Sequence, residues 1–485
     1  MKLLQELETH GGNHLYIDGE WRESSDSHEF PVLNPATEEV LTHVSSASTE
    51  DAVAAVAAAH EAGSEFAALT PRERSEILRR AFELMTERSE MIAELIVAEM
   101  GKALPEARAE AAYAAEFFRW FSGEALRNIG YITTAPGGDK RIIAVHQPIG
   151  VSLLVTPWNF PAAMATRKIG PAIAAGCAMV LKPASDTPLT ALAIVRIMEE
   201  AGLPKGVLNV LPSRRSGEVV AAMLADERVM NLSFTGSTEV GRLLLELAAA
   251  RVVRCSMELG GNAPFLVFDD ADIDAAVEGA MVAKMRNGGQ SCIAANRVYV
   301  QSSVADAFTG RLASAMASVR MGPGMEQGVT LGPVINEQAV DDMSGLVEAS
   351  TVNGSDVRVG GGRPDGRGYF FEPTVLSNVS LTDPILDTEI FGPIAPVVTF
   401  DTDDEALALA NDTIYGLAAY VYTSSLARGL SASEAIQAGM VGINRGVMSD
   451  PAAPFGGMKQ SGLGREGSHE GMMEFLETKY IAAEW

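Results

Sequence analysis

Residues 150–186 read GVSLLVTPWNFPAAMATRKIGPAIAAGCAMVLKPASD, and the order of residue types in this stretch decides the fold. An apolar run, 151–155, ends at Thr156-Pro157-Trp158-Asn159-Phe160-Pro161, and a helix-compatible stretch, 160–175, follows it. A second apolar run, 177–181, ends at Lys182-Pro183-Ala184-Ser185. Strand-length run, helix, strand-length run is a βαβ unit, and such units build a parallel sheet covered on both faces. The alternation continues with strand candidates at 206–211 and 230–234 and helical stretches at 187–201, 216–225 and 238–250. Parallel sheets of this kind bind ligands beyond the carboxyl ends of their strands, so the segments to watch are 156–161, 182–186, 213–217 and 235–238.

Toward the N-terminus, Thr70-Pro71-Arg72-Glu73 forms a capping box with proline at the first helical position. Ile77, Leu78, Phe82, Met85, Ile92, Leu95 and Ile96 then keep helical spacing as far as Gly101. A further helix is expected from near Pro105 past Trp120, and residues 131–149 change to Gly, Pro and β-branched types, an extended pair of strands. Toward the C-terminus a second α/β region starts near Glu258, with helices at 271–285 and 304–318 and strands at 396–400 and 418–422. Gly/Pro-rich joints at 322–333, 359–373 and 391–396 punctuate it, and Phe475–Trp485 reads as a terminal strand.

The chain has 485 residues, and cores stop growing at roughly 250–300, so two or more domains are expected. Its net charge, 37 − 63 = −26, repels phosphate backbones and argues against a nucleic-acid partner. An acidic substrate would need a local cluster of cations. The three cysteines, Cys177, Cys255 and Cys292, form no CxxC, so neither a disulfide framework nor a metal site is expected. The first residues, MKLLQELETHGGN, are acidic where a signal peptide needs an apolar run, and the apolar stretch 149–158 falls short of the roughly 20 residues that span a bilayer. These features predict a soluble, cytoplasmic protein with no membrane partner. The seven histidines lie at positions 10, 14, 28, 43, 60, 146 and 469, so acid–base chemistry in the centre of the chain falls to a carboxylate or a lysine.

Asn287-Gly288-Gly289-Gln290-Ser291-Cys292 sets a cysteine behind two glycines and among polar residues. It is open to two readings: a nucleophile, or a small buried hydrophobe, the reading that fits Cys177 and Cys255. Met257-Glu258-Leu259-Gly260-Gly261-Asn262 places a carboxylate between apolar neighbours, where desolvation would make it a general base; the alternative is a surface glutamate at a turn. Asn159, in a loop held by two prolines, either aims its amide at a developing oxyanion or closes an Asx turn. Lys182 and Phe234-Thr235-Gly236-Ser237 bring cationic and small groups to helix starts, where phosphate binds well.

The motifs WNFP, LKPAS, FTGSTEVG, MELGGN, GGQSC, EIFGP (Glu389 to Pro393) and PFGGMKQSGLGREG (Pro454 to Gly467), with NPAT at 34–37, occur in the order found in the aldehyde dehydrogenase superfamily. The resemblance covers essentially the whole chain. ATRK at 165–168, MRNGGQSC at 285–292 and KQSGLGREG at 459–467 bring it closest to the succinate-semialdehyde dehydrogenases. The fold so implied is α/β, with a Rossmann-type parallel-sheet cofactor domain (1–130 and 150–256) and a second α/β catalytic domain (257–455). A β-strand oligomerisation arm and C-terminal segment (131–149 and 456–485) would pair subunits into a homodimer or homotetramer.

By the same resemblance Cys292 attacks the carbonyl of a small-molecule aldehyde, and Asn159 with the Cys292 backbone N–H holds the oxyanion. Glu258 activates the water that hydrolyses the thioester. Thr156, Trp158, Asn159, Lys182, Ser185, Gly236, Ser237, Leu259, Glu389 and Phe391 surround the dinucleotide. Arg167 and Arg286 grip the carboxylate of succinate semialdehyde, with Ser461 as hydroxyl donor; without the resemblance, Arg167 followed by Lys168 on a helix would read as solvated surface charge. Ser185 stands where relatives that prefer NAD often carry Glu, so NADP is the preferred cofactor and NAD a possible one, unless Ser185 merely caps a helix. Arg445 stands where relatives commonly have Glu, near the expected substrate entrance. Cys292-Ile293-Ala294 lacks the second cysteine of a redox switch. The rival readings are the same chemistry on glutarate semialdehyde or an uncharged aliphatic aldehyde, a cofactor-independent thiol esterase, and an idle binding protein.

Overall fold

The computed structural model describes residues 2–484 apart from His10. Its first sheet is wound outward from one central strand, Val151–Val155. Met179–Lys182 and Leu208–Val210 follow on one side, Val229–Thr235 and Arg254–Glu258 on the other, all parallel. Antiparallel pieces close both edges, Leu15–Ile17 with Glu20–Arg22 at one and Gly462–Leu463 at the other. The winding direction reverses between Val151–Val155 and Val229–Thr235, and such a reversal leaves a crevice beyond the strand ends. Register sets Lys182 opposite Val155, Val155 opposite Phe234, and Thr235 opposite Glu258. A lysine and a glutamate therefore stand on one carboxyl edge, three strand spacings or about 14 Å apart.

Alternate residues of these strands feed two apolar cores, Leu154 and Leu181 on one face, Leu153 and Val180 on the other. Helix Pro161–Ala175, with proline in its first turn, has every residue buried. It packs against Leu104–Glu124, whose Phe117, Phe118 and Phe121 belong to the same core. Arg167 and Lys168 are on that helix and almost fully buried, so they are not solvated charge. The periodic run up to Gly101 is two helices, Pro71–Glu87 and Ser89–Met100, broken at Arg88 (φ −100°, ψ 13°) with no proline or glycine to announce it.

The second sheet runs in the spatial order 356–359, 374–377, 394–400, 295–301, 263–267, 418–422, 440–443, parallel except at its first edge. It too is buried on both faces, by Phe265, Val298 and Tyr420 on one and by Leu266, Tyr299 and Val421 on the other. A third, antiparallel sheet joins Tyr131–Thr134, Arg141–Pro148 and Leu476–Ala483. Trp485, the last residue of the expected terminal strand, lies outside the described residues. Among the described residues, no helix is long and apolar enough to cross a membrane.

Candidate active site

The carboxyl edge of the first sheet faces the Cys292 loop across a cavity of about 470 Å³. Lys182, Ser185 and Asp186 line one end; Glu258, Cys292 and Glu389 line the other. Thr156, Trp158, Asn159, Gly236, Ser237 and Phe391 line the stretch between. Ser237 caps helix Thr238–Ala249, its hydroxyl accepting from the Val240 N–H at 3.3 Å. Leu259 is set back from the cavity: its side chain packs where a Cβ added to Gly241 would come within 2.4 Å of it, and its N–H donates to the Ser461 carbonyl (3.0 Å).

The thiol loop takes its shape from three successive residues in the left-handed region, Asn287 (φ 54°), Gly288 (φ 62°) and Gly289 (φ 77°). A Cβ at Gly289 would come within 2.1 Å of the Gly392 carbonyl, and one at Gly261 within 2.2 Å of the Cys292 carbonyl. Close backbone approach thus brings the loop after Glu258 against the cysteine. Burial and the neighbouring Glu258 carboxylate push the Cys292 thiol well above its ordinary range, while Arg167 pulls the other way. A thiol so placed needs a base. Glu258 is buried, its carboxylate faces the Cys292 thiol, and burial pushes it up to about 7. Glu389 accepts from the Gly261 N–H at 3.0 Å and is pushed up by burial to about 8. Beside it the Phe391 ring meets Trp158 edge-on at 5.4 Å.

Asn159 is held from several directions. Its amide nitrogen donates to the Gln290 carbonyl (3.1 Å), and its own carbonyl accepts from Lys102 Nζ (2.8 Å) and Asn287 Nδ2 (3.0 Å). Lys102 is in turn ion-paired with Glu110, which caps helix Pro161–Ala175 through the N–H groups of Ala162 (2.9 Å) and Ala163 (3.3 Å). Glu106 accepts from the Asn287 N–H at 2.6 Å. The oxyanion candidate and the thiol loop are therefore fixed to each other by buried charges from helix Leu104–Glu124 and the joint before it. Sequence reading missed all of these, because nothing local distinguishes Lys102, Glu106 and Glu110 from solvated residues.

The two arginines differ. Arg167 lies 2.7 Å from Glu466, which also pairs with Lys168, and Lys168 bonds Ser233 at 2.8 Å. Arg286 packs over the Phe160 ring at 4.9 Å and donates to the Ser449 hydroxyl at 3.1 Å; among the described residues no carboxylate lies within ion-pair distance of it. Ser461 departs from the expectation. Its buried hydroxyl donates to the Gly260 carbonyl (2.7 Å) and accepts from the Gly416 N–H (2.9 Å), so it is spent on backbone. The hydroxyl beside an arginine is that of Ser449. Arg445 turns onto its own loop, donating to the Val447 carbonyl at 2.9 Å.

A desolvated lysine at one end, a half-buried thiol facing a buried carboxylate at the other, and an amide fixed between them suit a long anionic ligand and a nucleophilic step. Residues 21–481 match the model of the aldehyde dehydrogenase family. The chain is 54% identical over 442 residues to a succinate-semialdehyde dehydrogenase of Paenarthrobacter nicotinovorans, covering 91% of this chain and 98% of that one. It is 50% identical over 468 residues to a glutarate-semialdehyde dehydrogenase of Pseudomonas putida, covering 96% of each. Among solved structures, an NADP-dependent enzyme of E. coli superposes with a TM-score of 0.96 at 46% identity, covering 98% of each chain.

Proposed function

The chain belongs to the aldehyde dehydrogenase family and is an NAD(P)-dependent oxidoreductase, and on that premise we propose that it oxidises succinate semialdehyde to succinate through a thioester on Cys292, preferring NADP and accepting NAD. The observation that carries the substrate is Arg286, a cation that forms no ion pair among the described residues and feels the Glu106 carboxylate only at longer range, six positions before the thiol. An arginine–carboxylate contact fixes distance and direction together, and at 4 Å the raw attraction is about 4 kcal/mol at an effective dielectric near 20. That suffices locally against a chain of net charge −26.

Glu258, held near neutrality by burial, takes the proton of the Cys292 thiol as sulfur attacks the aldehyde carbon. The second N–H of the Asn159 amide, beyond the one given to the Gln290 carbonyl, and the Cys292 backbone N–H would hold the oxygen that becomes negative; losing one such donor raises a barrier by roughly 2.7–4 kcal/mol. When bound, NAD(P) supplies the two-electron acceptor. Lys182, Ser185, Gly236 and Ser237 hold its adenosine and phosphate portion, and Glu389, Trp158 and Phe391 its ring end, a set that fits because Lys182 is buried in the cavity wall with a hydroxyl, Ser216 at 2.7 Å, as its hydrogen-bond partner. Once that proton has passed to solvent, Glu258 is again a carboxylate; it takes a proton from the water that attacks the thioester and returns it to the departing Cys292 sulfur as the acid is released. NADP is supported by Ser185 beside Lys182 and by the name of the E. coli relative. Subunits pair through the exposed strand Tyr131–Thr134, flanked by Ile129, in a cytoplasmic homodimer or homotetramer.

A second reading, glutarate semialdehyde, is favoured by the Pseudomonas relative, since one methylene is worth only about 1–3 kcal/mol in a pocket. Initial rates with succinate semialdehyde, glutarate semialdehyde and butanal, each with both dinucleotides, test both. Succinate semialdehyde should exceed butanal in kcat/KM by about 100-fold or more, and parity between them overturns the carboxylate clamp.

A further inference from the structure

The loop after strand Leu208–Val210 carries two consecutive arginines with different commitments. Arg215 is tied down: it pairs with Asp26 at 2.6 Å and donates to the carbonyls of Ser46 (3.2 Å) and Ala47 (3.3 Å). Among the described residues Arg214 is anchored by its backbone, whose N–H donates to the Ser46 hydroxyl (3.2 Å), and by packing over the Phe30 ring at 5.4 Å. Its guanidinium is half exposed and makes a single loose ion contact, 3.4 Å, with Asp186. Asp186 lines the cavity next to Ser185 and Lys182. A carboxylate at that spot opposes a phosphate, and a half-exposed guanidinium at its side favours one.

We infer that the Arg214–Asp186 pair sets the choice between the two dinucleotides, Arg214 serving as a contact for the 2′-phosphate and Asp186 competing with that phosphate for it. The inference rests on the reading of the Lys182–Ser185 end as the adenosine-ribose site. With a 2′-hydroxyl in place, Arg214 stays on Asp186, and the carboxylate can accept from ribose. A 2′-phosphate offers the guanidinium a stronger, bidentate acceptor and draws it off the carboxylate toward Ser185. Buried Lys182, lowered by burial to about 8, gains a counter-charge from the same phosphate.

Calorimetric titration of the full chain with adenosine 2′,5′-bisphosphate and with 5′-AMP tests the pair without any aldehyde. Arg214→Ala should weaken the bisphosphate about tenfold or more while shifting 5′-AMP less than about twofold. Asp186→Asn should tighten the bisphosphate by about threefold or more relative to 5′-AMP. Equal losses for the two ligands in Arg214→Ala, or an unmoved ratio in either variant, overturn the inference. Absence of turnover with succinate semialdehyde would instead remove the substrate reading and leave these ratios to judge the pair on their own.

Discussion

The two ends of the cleft are built on opposite charges, and both differ from the scaffold around them. At one end Lys182 is buried with the Ser216 hydroxyl on its ammonium group, and burial lowers it to about 8 against the smaller opposing pull of Asp186. At the other, Glu258 and Glu389 are raised by burial to about 7 and 8. Two equally buried lysines nearby are treated otherwise: Lys168 is paired with Glu466 and Ser233, and Lys102 with Glu110 and the Asn159 carbonyl. Those two scaffold lysines are saturated, unlike Lys284, which is buried away from the cavity wall with the Asn296 amide oxygen at 2.8 Å on its ammonium group and is lowered by burial to about 7. Where charge lines the cleft it is left desolvated, a cost that a ligand or a proton transfer can recover.

The sharpest way to break this contrast is to remove the thiol. Cys292→Ala should lower turnover by about 10⁴-fold or more while dinucleotide affinity, measured by fluorescence titration, changes less than about threefold. Substantial remaining turnover would mean that the thiol end is scaffold after all. Glu258→Gln comes next, with kcat expected to fall about 100-fold to 1,000-fold and the first turnover slowed with it, because the same carboxylate takes the thiol proton and later activates the water. In the unsubstituted enzyme the base must be ionised, so kcat should decline as pH falls through about 7. A decline centred near 4.5 would show a hydrated Glu258.

A smaller effect separates the arginines. Arg286→Ala should raise KM for succinate semialdehyde by about tenfold to 100-fold and leave that for butanal nearly unmoved. Arg167→Ala should raise it less, because Glu466 already takes up much of its charge. The reverse order in steady-state kinetics would make Arg167 the carboxylate's partner.

The alternation from Val151 onward was legible because parallel strands buried on both faces read as short apolar runs, and helix 216–225 lies where its residues place it. Cys292, Glu258, Asn159 and Lys182 were legible for a related reason: each sits at a strand end or in a glycine-rich loop, where local sequence constrains backbone position. The partners of those residues were not. Asn159 meets Lys102 across 57 positions and Arg167 meets Glu466 across 299, and no periodicity encodes such pairings. Ser461 and Ser449 lie in one irregular stretch, and only the path of the chain decides which hydroxyl reaches an arginine and which is spent on Gly260 and Gly416.

The least conspicuous consequence of the contrast concerns stability. Glu258 goes from an ordinary carboxyl near 4.5 in the unfolded chain to about 7 in the fold, so between those values the folded protein binds more protons than the unfolded one. Stability from this group is then fully present below about 4.5 and is lost as pH rises through about 7. Glutamine carries no charge at any pH and escapes that loss. The melting temperature of Glu258→Gln, at one fixed protein concentration, should therefore match that of the parent most nearly at pH 5 and exceed it by a margin that grows to pH 8 and then levels. The same scan on Lys168→Met, which strips Glu466 of one of its cations, should show destabilisation at every pH where that carboxylate is ionised. A flat difference for Glu258→Gln would mean that its carboxylate is as well solvated as Glu466 is paired, and the thiol end would then be built like the rest of the scaffold.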